Sequence, residues 1–163
     1  MARVLFLGGL VRFYSGAPGW KAPQIAVNAG LDDPEIAQKA VELWRHWVNK
    51  ALADEGVALD WNESPTSPWE VREVDDCFLS ELMVAAKENE EASRPNTWFP
   101  FSGGVVFCVN GVAEEEIIVG TLAALIDGLS EIDQLSAGAA SVRADLLELA
   151  DRGIRFGLPL RLI

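Results

Sequence analysis

The chain begins with RVLFLGGLVRFY at residues 3–14, a segment in which aliphatic, β-branched and aromatic residues dominate. These residue types favour a β-strand. Gly8 and Gly9 interrupt the segment in its middle, and we interpret them as a bulge in one long strand or as the turn of a hairpin. The segment therefore predicts a fold organised around a sheet.

The strongest helical pattern comes next and runs from Asp32 or Asp33 to Gly56. An Asp can cap the first free N–H groups, the Pro that follows suits the first helical position, and a Gly commonly ends a helix. The apolar residues recur at helical spacing, which predicts a broad face packed on the sheet with Trp44 and Trp47 both buried. They are Ile36, Ala40, Val41, Leu43, Trp44, Trp47, Val48, Ala51 and Leu52.

The middle of the chain alternates short strands, loops and a second helix. Two Ser-Pro pairs, at 64–65 and 67–68, mark a loop. The predicted elements are a strand at 57–61, a strand at 71–74, a helix at about 76–91, an aromatic loop at 98–101 and a strand at 105–109.

Two interpretations are open after the pair Asn110-Gly111. This pair is typical of a β-hairpin. Three acids at 114–116 and the helical spacing of the apolar residues behind them favour a helix instead. We prefer the helix, and a returning strand at 115–119 stays as the alternative.

The C-terminal segment predicts a helix followed by a strand. The helix spans about 139–152 and is closed by Gly153. Apolar residues then alternate, which predicts a strand with Arg155 and Arg161 pointing outward. Pro159 cannot donate to a ladder and indicates an edge position. The inward residues are Ile154, Phe156, Leu158, Leu160 and Leu162.

The order of these elements predicts the α+β class. The simplest architecture that buries all the apolar faces is a mixed α/β sandwich, with one mixed sheet of about four to five strands packed by about four helices. The spacing lacks the repeated βα units of a doubly wound fold. We expect residues 1–163 to form a single domain, since this length is typical of one domain.

The net charge of −12 is concentrated in one part of the chain. Residues 54–91 hold 12 acids and 2 bases, a net charge of −10. A field of one sign argues against nucleic acid and an anionic membrane as partners. It favours a basic protein partner or a divalent cation, and solubility alone is the third interpretation.

The cysteines and the N-terminus bear on the compartment. Cys77 and Cys108 both lie in apolar runs, which predicts buried thiols that form neither a disulfide framework nor a zinc site. The apolar run at 4–7 is too short for a signal-peptide core, and no stretch reaches the length of a membrane span. We therefore expect a cytoplasmic protein.

The sequence nominates no catalytic residue, cofactor or metal site. His46 shares a helix face with charged residues, which predicts a solvated side chain rather than a general base. Gly8 and Gly9 lack the third glycine, the Gly-Lys-Ser/Thr motif and the directly following helix of a phosphate-binding turn. The acids of 54–91 lack the tight alternation of a calcium loop.

Acidic residues combined with aromatic residues form the most suggestive pattern. Trp is a preferred interface residue, and Pro-stiffened loops lose little entropy on binding. The other interpretation is that these rings cap the sheet and belong to the core. The candidate partner-binding residues are Asp60, Trp61, Glu63, Trp69, Glu70, Glu73, Trp98 and Phe99.

In charge and size the chain is similar to the small acidic immunity and inhibitor proteins that neutralise basic bacterial toxins. We therefore expect a non-enzymatic, acidic protein-binding module acting on a basic partner. The first alternative is a small-molecule-binding protein or enzyme with a pocket lined by the aromatic loops, where Trp20, Trp98, Phe99 or Phe101 would supply the walls. The second is a protein that forms homo-oligomers through its C-terminal strand.

Overall fold

The computed structural model describes residues 2–86, 94–101 and 106–163. These residues form six strands and six helices, with a 3-10 turn at Ala53–Glu55. The strands are β1 (Ala2–Leu7), β2 (Glu70–Asp75), β3 (Thr97–Phe99), β4 (Phe107–Asn110), β5 (Glu116–Thr121) and β6 (Leu160–Leu162). The helices are α1 (Leu10–Ser15), α2 (Gln24–Asn28), α3 (Pro34–Leu52), α4 (Asp76–Ala85), α5 (Leu122–Ser130) and α6 (Ala137–Phe156).

All six strands belong to one mixed sheet with the order β2-β1-β6-β3-β5-β4. The pair β3 and β5 is parallel, and the other neighbouring pairs are antiparallel. The predicted α+β class with one mixed sheet fits this architecture. Strands and helices are both more numerous than predicted, because several of them are only three to six residues long.

The sheet separates two hydrophobic cores. Leu5 and Leu7 of β1 pack with residues of α4, α5 and α6 on one face. Phe6 points the other way and packs with residues of α1 and α3. Successive side chains of a strand point to opposite faces, so the apolar residues 4–7 of β1 serve both cores. The result is three layers, with β1 in the interior of the middle layer.

Helix α3 confirms its predicted start and end. The Asp33 carboxylate accepts a hydrogen bond from the Glu35 N–H at 2.9 Å, and Gly56 adopts a left-handed φ of 68° after the 3-10 turn. The buried stripe is narrower than predicted. Trp44 is 9% exposed, but Trp47 is 55% exposed, so its predicted burial is wrong. The buried positions recur at Ala37, Val41, Trp44 and Val48, which is the single face that meets the sheet.

The prediction of a bulge or hairpin at Gly8-Gly9 is wrong. Strand β1 ends at Leu7, and α1 starts at Leu10 with Gly9 as its N-cap residue. The predicted strand at 57–61 is also wrong, because the side-chain amide of Asn49 bonds both the N–H and the C=O of Leu59, at 2.6 and 2.9 Å. A single side chain thus satisfies a backbone that has no strand partner.

The predicted aromatic loop contains an interior strand. Trp98 and Phe99 belong to β3, which lies between β6 and β5. The strand at 71–74 is confirmed as part of β2, and the strand at 105–109 is confirmed from Phe107 onward. The helix at 76–91 is confirmed as far as Ala85. Residues 87–93 and 102–105 lie outside the described residues.

The strand alternative after Asn110-Gly111 is correct, and the preferred helix over 112–120 is wrong. Strands β4 and β5 form an antiparallel hairpin, in which the Gly111 N–H donates to the Glu115 carbonyl at 2.7 Å. The apolar residues behind the acids are divided between two elements: Ile117 and Ile118 lie in β5, and the leucines and Ile126 lie in α5. Thr121 caps α5 through a hydrogen bond from the Ala124 N–H. This apolar segment therefore forms a strand in its first part and a helix in its second part.

The C-terminal helix extends through Gly153 to Phe156, and Gly157 ends it with a left-handed φ of 69°. Gly153 serves close packing instead, since a Cβ there would lie 2.6 Å from the Leu122 side chain. The strand is therefore only Leu160–Leu162, and it pairs on both sides rather than forming an edge. Pro159 precedes the strand, so its missing N–H costs no ladder bond.

Both thiols are exposed, which corrects the predicted burial of Cys77 and Cys108. Cys77 lies in the first turn of α4, and Cys108 lies on the edge strand β4. Apolar neighbours in sequence therefore did not bring these side chains into a core. None of the helices in the described residues is long and apolar enough to cross a membrane.

Burial on α3 leads to a paired prediction. Trp44→Ala should lower the free energy of unfolding by about 3–5 kcal/mol, because it removes a buried indole that also donates to the Asn110 carbonyl. Trp47→Ala should change it by less than about 0.5 kcal/mol, because that ring is exposed. Urea unfolding of both variants checks this. Equal losses in the two variants would contradict the assigned face.

Candidate functional site

A cleft of about 510 Å³ opens between α1, the first half of α3 and the segment 63–67. Its volume lies within the range of clefts that hold small molecules. Two arginines and three glutamates give it a charged lining. The main lining residues are Gly9, Val11, Arg12, Ser15, Glu35, Gln38, Glu42, Arg45, Glu63, Ser64, Pro65 and Ser67.

Glu63 closes the cleft against the start of α1. Its carboxylate accepts hydrogen bonds from the Leu10 N–H at 2.6 Å and the Val11 N–H at 3.2 Å, and the indole N–H of Trp61 also donates to it. A Cβ at position 9 would lie 2.5 Å from a Glu63 oxygen, so a larger residue there would push this carboxylate away from the helix. The turn after β1 does lead directly into a helix, which corrects the sequence analysis. A side chain of the protein itself fills the anion-accepting position.

Arg12 projects from α1 and is fixed without a counter-ion. Its two terminal nitrogens donate to the carbonyls of Ser67 and Pro65, each at 2.9 Å. The guanidinium carbon lies 5.9 Å from the centre of the Trp69 ring. Within the described residues, no carboxylate comes within ion-pair distance of Arg12. Neutral carbonyls thus orient a full positive charge at the cleft.

Arg45 projects from α3 and lies over an indole ring. Its guanidinium carbon is 3.8 Å from the centre of the Trp61 ring, and one terminal nitrogen donates to the Trp61 carbonyl at 3.2 Å. The other terminal nitrogen is 3.4 Å from Asp60, whose side chain is 88% exposed. The buried Nε has no hydrogen-bond partner. A buried donor without a partner costs free energy, so the Arg45 guanidinium is incompletely satisfied in this structure.

The remaining polar groups of the cleft are suited to binding rather than to nucleophilic attack. The hydroxyls of Ser15 and Ser67 donate to the carbonyls of Val11 and Ser64 at 2.7 and 2.6 Å, so neither is paired with a base. An activated serine needs an adjacent general base. Glu35 and Glu42 contribute carboxylate oxygens to the α3 wall.

Three of the predicted partner-binding rings are part of the cores. Trp61 and Phe99 are buried in the core between the sheet and α3, and Trp98 is buried in the other core. Trp69 is half-buried against the ring of Phe6. For the three buried rings, the core interpretation is correct.

The four predicted acidic residues do not share one exposed face. Asp60 is exposed beside Arg45, whereas Glu63 is bound to the start of α1. Glu70 forms ion pairs with Arg72 and Arg152 over α6. Glu73 is exposed and lies three positions from Glu70 on β2, so the two side chains point to opposite faces of the sheet. The sequence analysis therefore grouped acids that the fold separates.

The sequence analysis missed both arginines of the cleft. Arg12 lies in a segment interpreted as a strand, which hid the helical turn that aims its side chain. Arg45 lies beside the apolar stripe of α3, but no pattern indicated that Trp61 would pack under it. His46, by contrast, is exposed on α3 as predicted.

A second polar cluster joins Arg161, Tyr14 and Glu115 in the interior. Arg161 donates to the Tyr14 hydroxyl at 2.7 Å and to the Glu115 carboxylate at 2.8 Å, and Tyr14 also donates to Glu115. Arg161 is buried, so its predicted outward orientation is wrong. Burial is the main cause that raises the pKa of Tyr14, and Glu115 raises it further. None of the three residues is among the cleft-lining residues, and their hydrogen bonds hold α1, β6 and the turn before β5 together.

The pKa of Arg161 is also raised. Burial opposes the charged guanidinium, but Tyr14 and Glu115 more than offset that effect.

Among the described residues, no group of three or more His, Cys, Asp or Glu side chains could hold a metal ion. Comparison of the chain with protein-family models, with curated proteins and with solved structures finds no match. The function is therefore argued from the geometry of the cleft.

The Glu63 contacts lead to a second paired prediction. Glu63→Gln should destabilise the protein by about 1–3 kcal/mol, because an amide can supply only one oxygen to the N–H donors that surround this carboxylate. Asp60→Asn, on an exposed neighbour, should have little effect. Thermal unfolding of the two variants, monitored by circular dichroism, measures the difference. A Glu63→Gln protein as stable as wild type would refute the anchoring role of the carboxylate.

Proposed function

We propose that this protein binds a small polar molecule in the cleft, and that Arg12 and Arg45 receive an anionic group of that molecule. The observation that carries the proposal is the charge of Arg12, which lines the cleft with no counter-ion in the described residues. Arg45 lines the same cleft, where the carboxylate within ion-pair distance is that of the exposed Asp60. Carboxylates and phosphates are the groups that guanidinium donors match best.

Preorganisation supports this proposal. Two carbonyls fix Arg12, and the Trp61 ring and carbonyl fix Arg45. A ligand would therefore not have to order these long side chains, a cost of about 0.5–1.5 kcal/mol for each immobilised side chain. The arginines contribute binding energy without that penalty.

The other wall of the cleft limits the charge of the ligand. Glu35 and Glu42 line the α3 side. They would repel a compact, multiply charged anion, whereas their oxygens can accept N–H or O–H groups from a ligand. The ligand class that fits both walls is a molecule with one carboxylate or one phosphate monoester and several hydrogen-bond donors.

Thermal-shift screening with two panels of small molecules tests the proposal, one panel of carboxylates and one of phosphate monoesters. At least one compound should raise the melting temperature and change the tryptophan fluorescence, because Trp61 and Trp69 lie against the arginines. Arg12→Ala should weaken its binding by at least about tenfold, the usual result of losing a charged hydrogen bond. The panel that contains the binder distinguishes a carboxylate from a phosphate.

Arg155→Ala is the matched control, because Arg155 is an exposed residue of α6 that pairs, within the described part of the chain, with Asp151. It should bind like wild type. If no compound in either panel binds, or if Arg12→Ala binds as tightly as wild type, the cleft is not an anion-binding site and the proposal fails.

Charge-steered binding of a basic protein is a second proposal, and the net charge of −10 over residues 54–91 favours it. Asp60 and Glu73 are the two predicted acids whose side chains are exposed, although Asp60 also pairs with Arg45 at 3.4 Å and accepts the Trp61 N–H at 3.0 Å. In this proposal the protein is an acidic binding module of the inhibitor or immunity type. Long-range attraction acts mainly on the association rate and falls with ionic strength.

The test uses surface plasmon resonance against a basic protein recovered by affinity capture. Its association rate should fall steeply as salt rises, and the double substitution Asp60→Lys and Glu73→Lys should lower the rate further without unfolding the chain. The control is Asp151→Lys, an acid reversed on α6 outside this segment. An association rate that is independent of salt and of both substitutions would contradict steering by these acids.

A further inference from the structure

The cleft carries charges of both signs that have no oppositely charged partner. Two of its charged lining residues are compensated within the chain, because Arg45 pairs with Asp60 at 3.4 Å and Glu63 accepts the N–H groups at the start of α1. Across residues 2–86, 94–101 and 106–163, the other charged lining residues have no group of opposite charge within ion-pair distance. They are Arg12, Glu35 and Glu42.

Helix α3 places its polar cleft residues in one row. Glu35, Gln38, Glu42 and Arg45 follow one another at steps of three, four and three residues, which is the spacing of one helix face. A rise of about 1.5 Å per residue separates the two glutamates by about 10 Å along the helix axis. Arg12 comes from α1, a different wall of the cleft. The two carboxylates are therefore far enough apart to receive separate partners, while a single cation stands on the other wall.

We infer that the ligand of this cleft is an amino acid with a basic side chain, a small molecule that carries one carboxylate and two protonated amines. Its carboxylate binds Arg12, and one amine lies beside each of Glu35 and Glu42. The charged groups of the ligand then oppose those of the cleft one for one. This inference rests on the proposed function, because it takes Arg12 as the anion-binding residue and adds the charge of the rest of the ligand.

The balance of charge favours this class over an anion without amines. A simple carboxylate would satisfy Arg12 but would leave both glutamates unpaired. A phosphate monoester carries about −1.5 to −2 charges at neutral pH, so it would add repulsion from the same glutamates. The net charge of −12 acts in the same direction, since the field of the whole protein attracts a ligand with an excess of positive charge.

The apolar part of the lining fits the aliphatic chain of such a ligand. Val11, Pro34 and Val41 lie among the charged residues of the cleft. Methylene groups gain free energy when they leave water for an apolar surface. The methylene chain that separates the two amines of a basic amino acid can therefore contact these side chains while both of its ends stay polar.

Lysine and four analogues test this inference, because each analogue lacks defined groups of lysine. Norleucine lacks the side-chain amine, 6-aminohexanoate lacks the α-amine, hexanoate lacks both amines, and cadaverine lacks the carboxylate. Titration followed by tryptophan fluorescence at low ionic strength should show the tightest binding for lysine. Loss of one amine should weaken binding about two- to fivefold, the range for an ion pair in contact with solvent. Loss of the carboxylate should weaken it at least about tenfold.

Two substitutions locate the amines. Glu35→Gln and Glu42→Gln should each weaken lysine binding about two- to fivefold and leave hexanoate binding no weaker than in wild type. This coupling between a glutamate and an amine is a signature that a change in stability alone would not produce. Glu131→Gln is the matched control, because Glu131 is an exposed acid at the end of α5 outside the cleft, and it should bind all the compounds like wild type.

The outcomes separate this inference from the proposed function. Hexanoate that binds as tightly as lysine through Arg12 overturns the inference and leaves the proposed function standing. The same holds if lysine does not bind but another carboxylate or a phosphate monoester does so through Arg12. A preference for lysine that both glutamine variants retain also overturns the inference. If cadaverine binds as tightly as lysine, or if no compound binds at all, the carboxylate is not recognised and both proposals fail.

Discussion

The buried contact between Arg161, Glu115 and Tyr14 holds together parts of the chain that lie far apart in sequence. Arg161 belongs to the interior strand β6, Glu115 to the turn before β5, and Tyr14 to α1. Removing one partner of such a buried pair costs about 3–5 kcal/mol, because the other charge then stays buried alone. The guanidinium of Arg161 also lies 4.4 Å from the centre of the Phe13 ring. Two successive residues of α1 are thereby fixed to the end of the chain.

The geometry of the cleft follows from how α1 is fixed at both ends. Glu63 binds the N–H groups at its start, and Arg161 holds Tyr14 near its end. Arg12 lies between these two anchors, so a helix of only six residues can hold a charged side chain in one orientation. An isolated helix of this length would not be stable in water. The orientation of the Arg12 guanidinium in the cleft therefore depends on tertiary contacts at the two ends of α1.

Three sides of helix α3 have different surroundings. One side packs on the sheet, and one flank contributes Arg45 and two glutamates to the cleft. The other flank exposes Ile36, Leu43 and Trp47 to solvent. The sequence pattern treated all the apolar positions as one broad face. Helical periodicity reports how much of a helix is apolar, but not whether its partner is the same chain or another molecule. The exposure of Trp47 thus shows that the apolar face of this helix is wider than the part that packs against the sheet.

The sequence by itself determined the α+β class, the start and end of α3, the strand β2 and the start of α4, because capping and periodicity are local. Tertiary structure decided the rest. Trp98 and Phe99 became an interior strand because β6 and β5 flank them. Arg161 turned inward because Glu115 neutralises its charge there and Tyr14 accepts another of its hydrogen bonds. The cleft likewise joins residues of three segments whose proximity no local pattern encodes. Local signals fix the conformation of a segment, whereas its neighbours are set by the free energy of packing the whole chain.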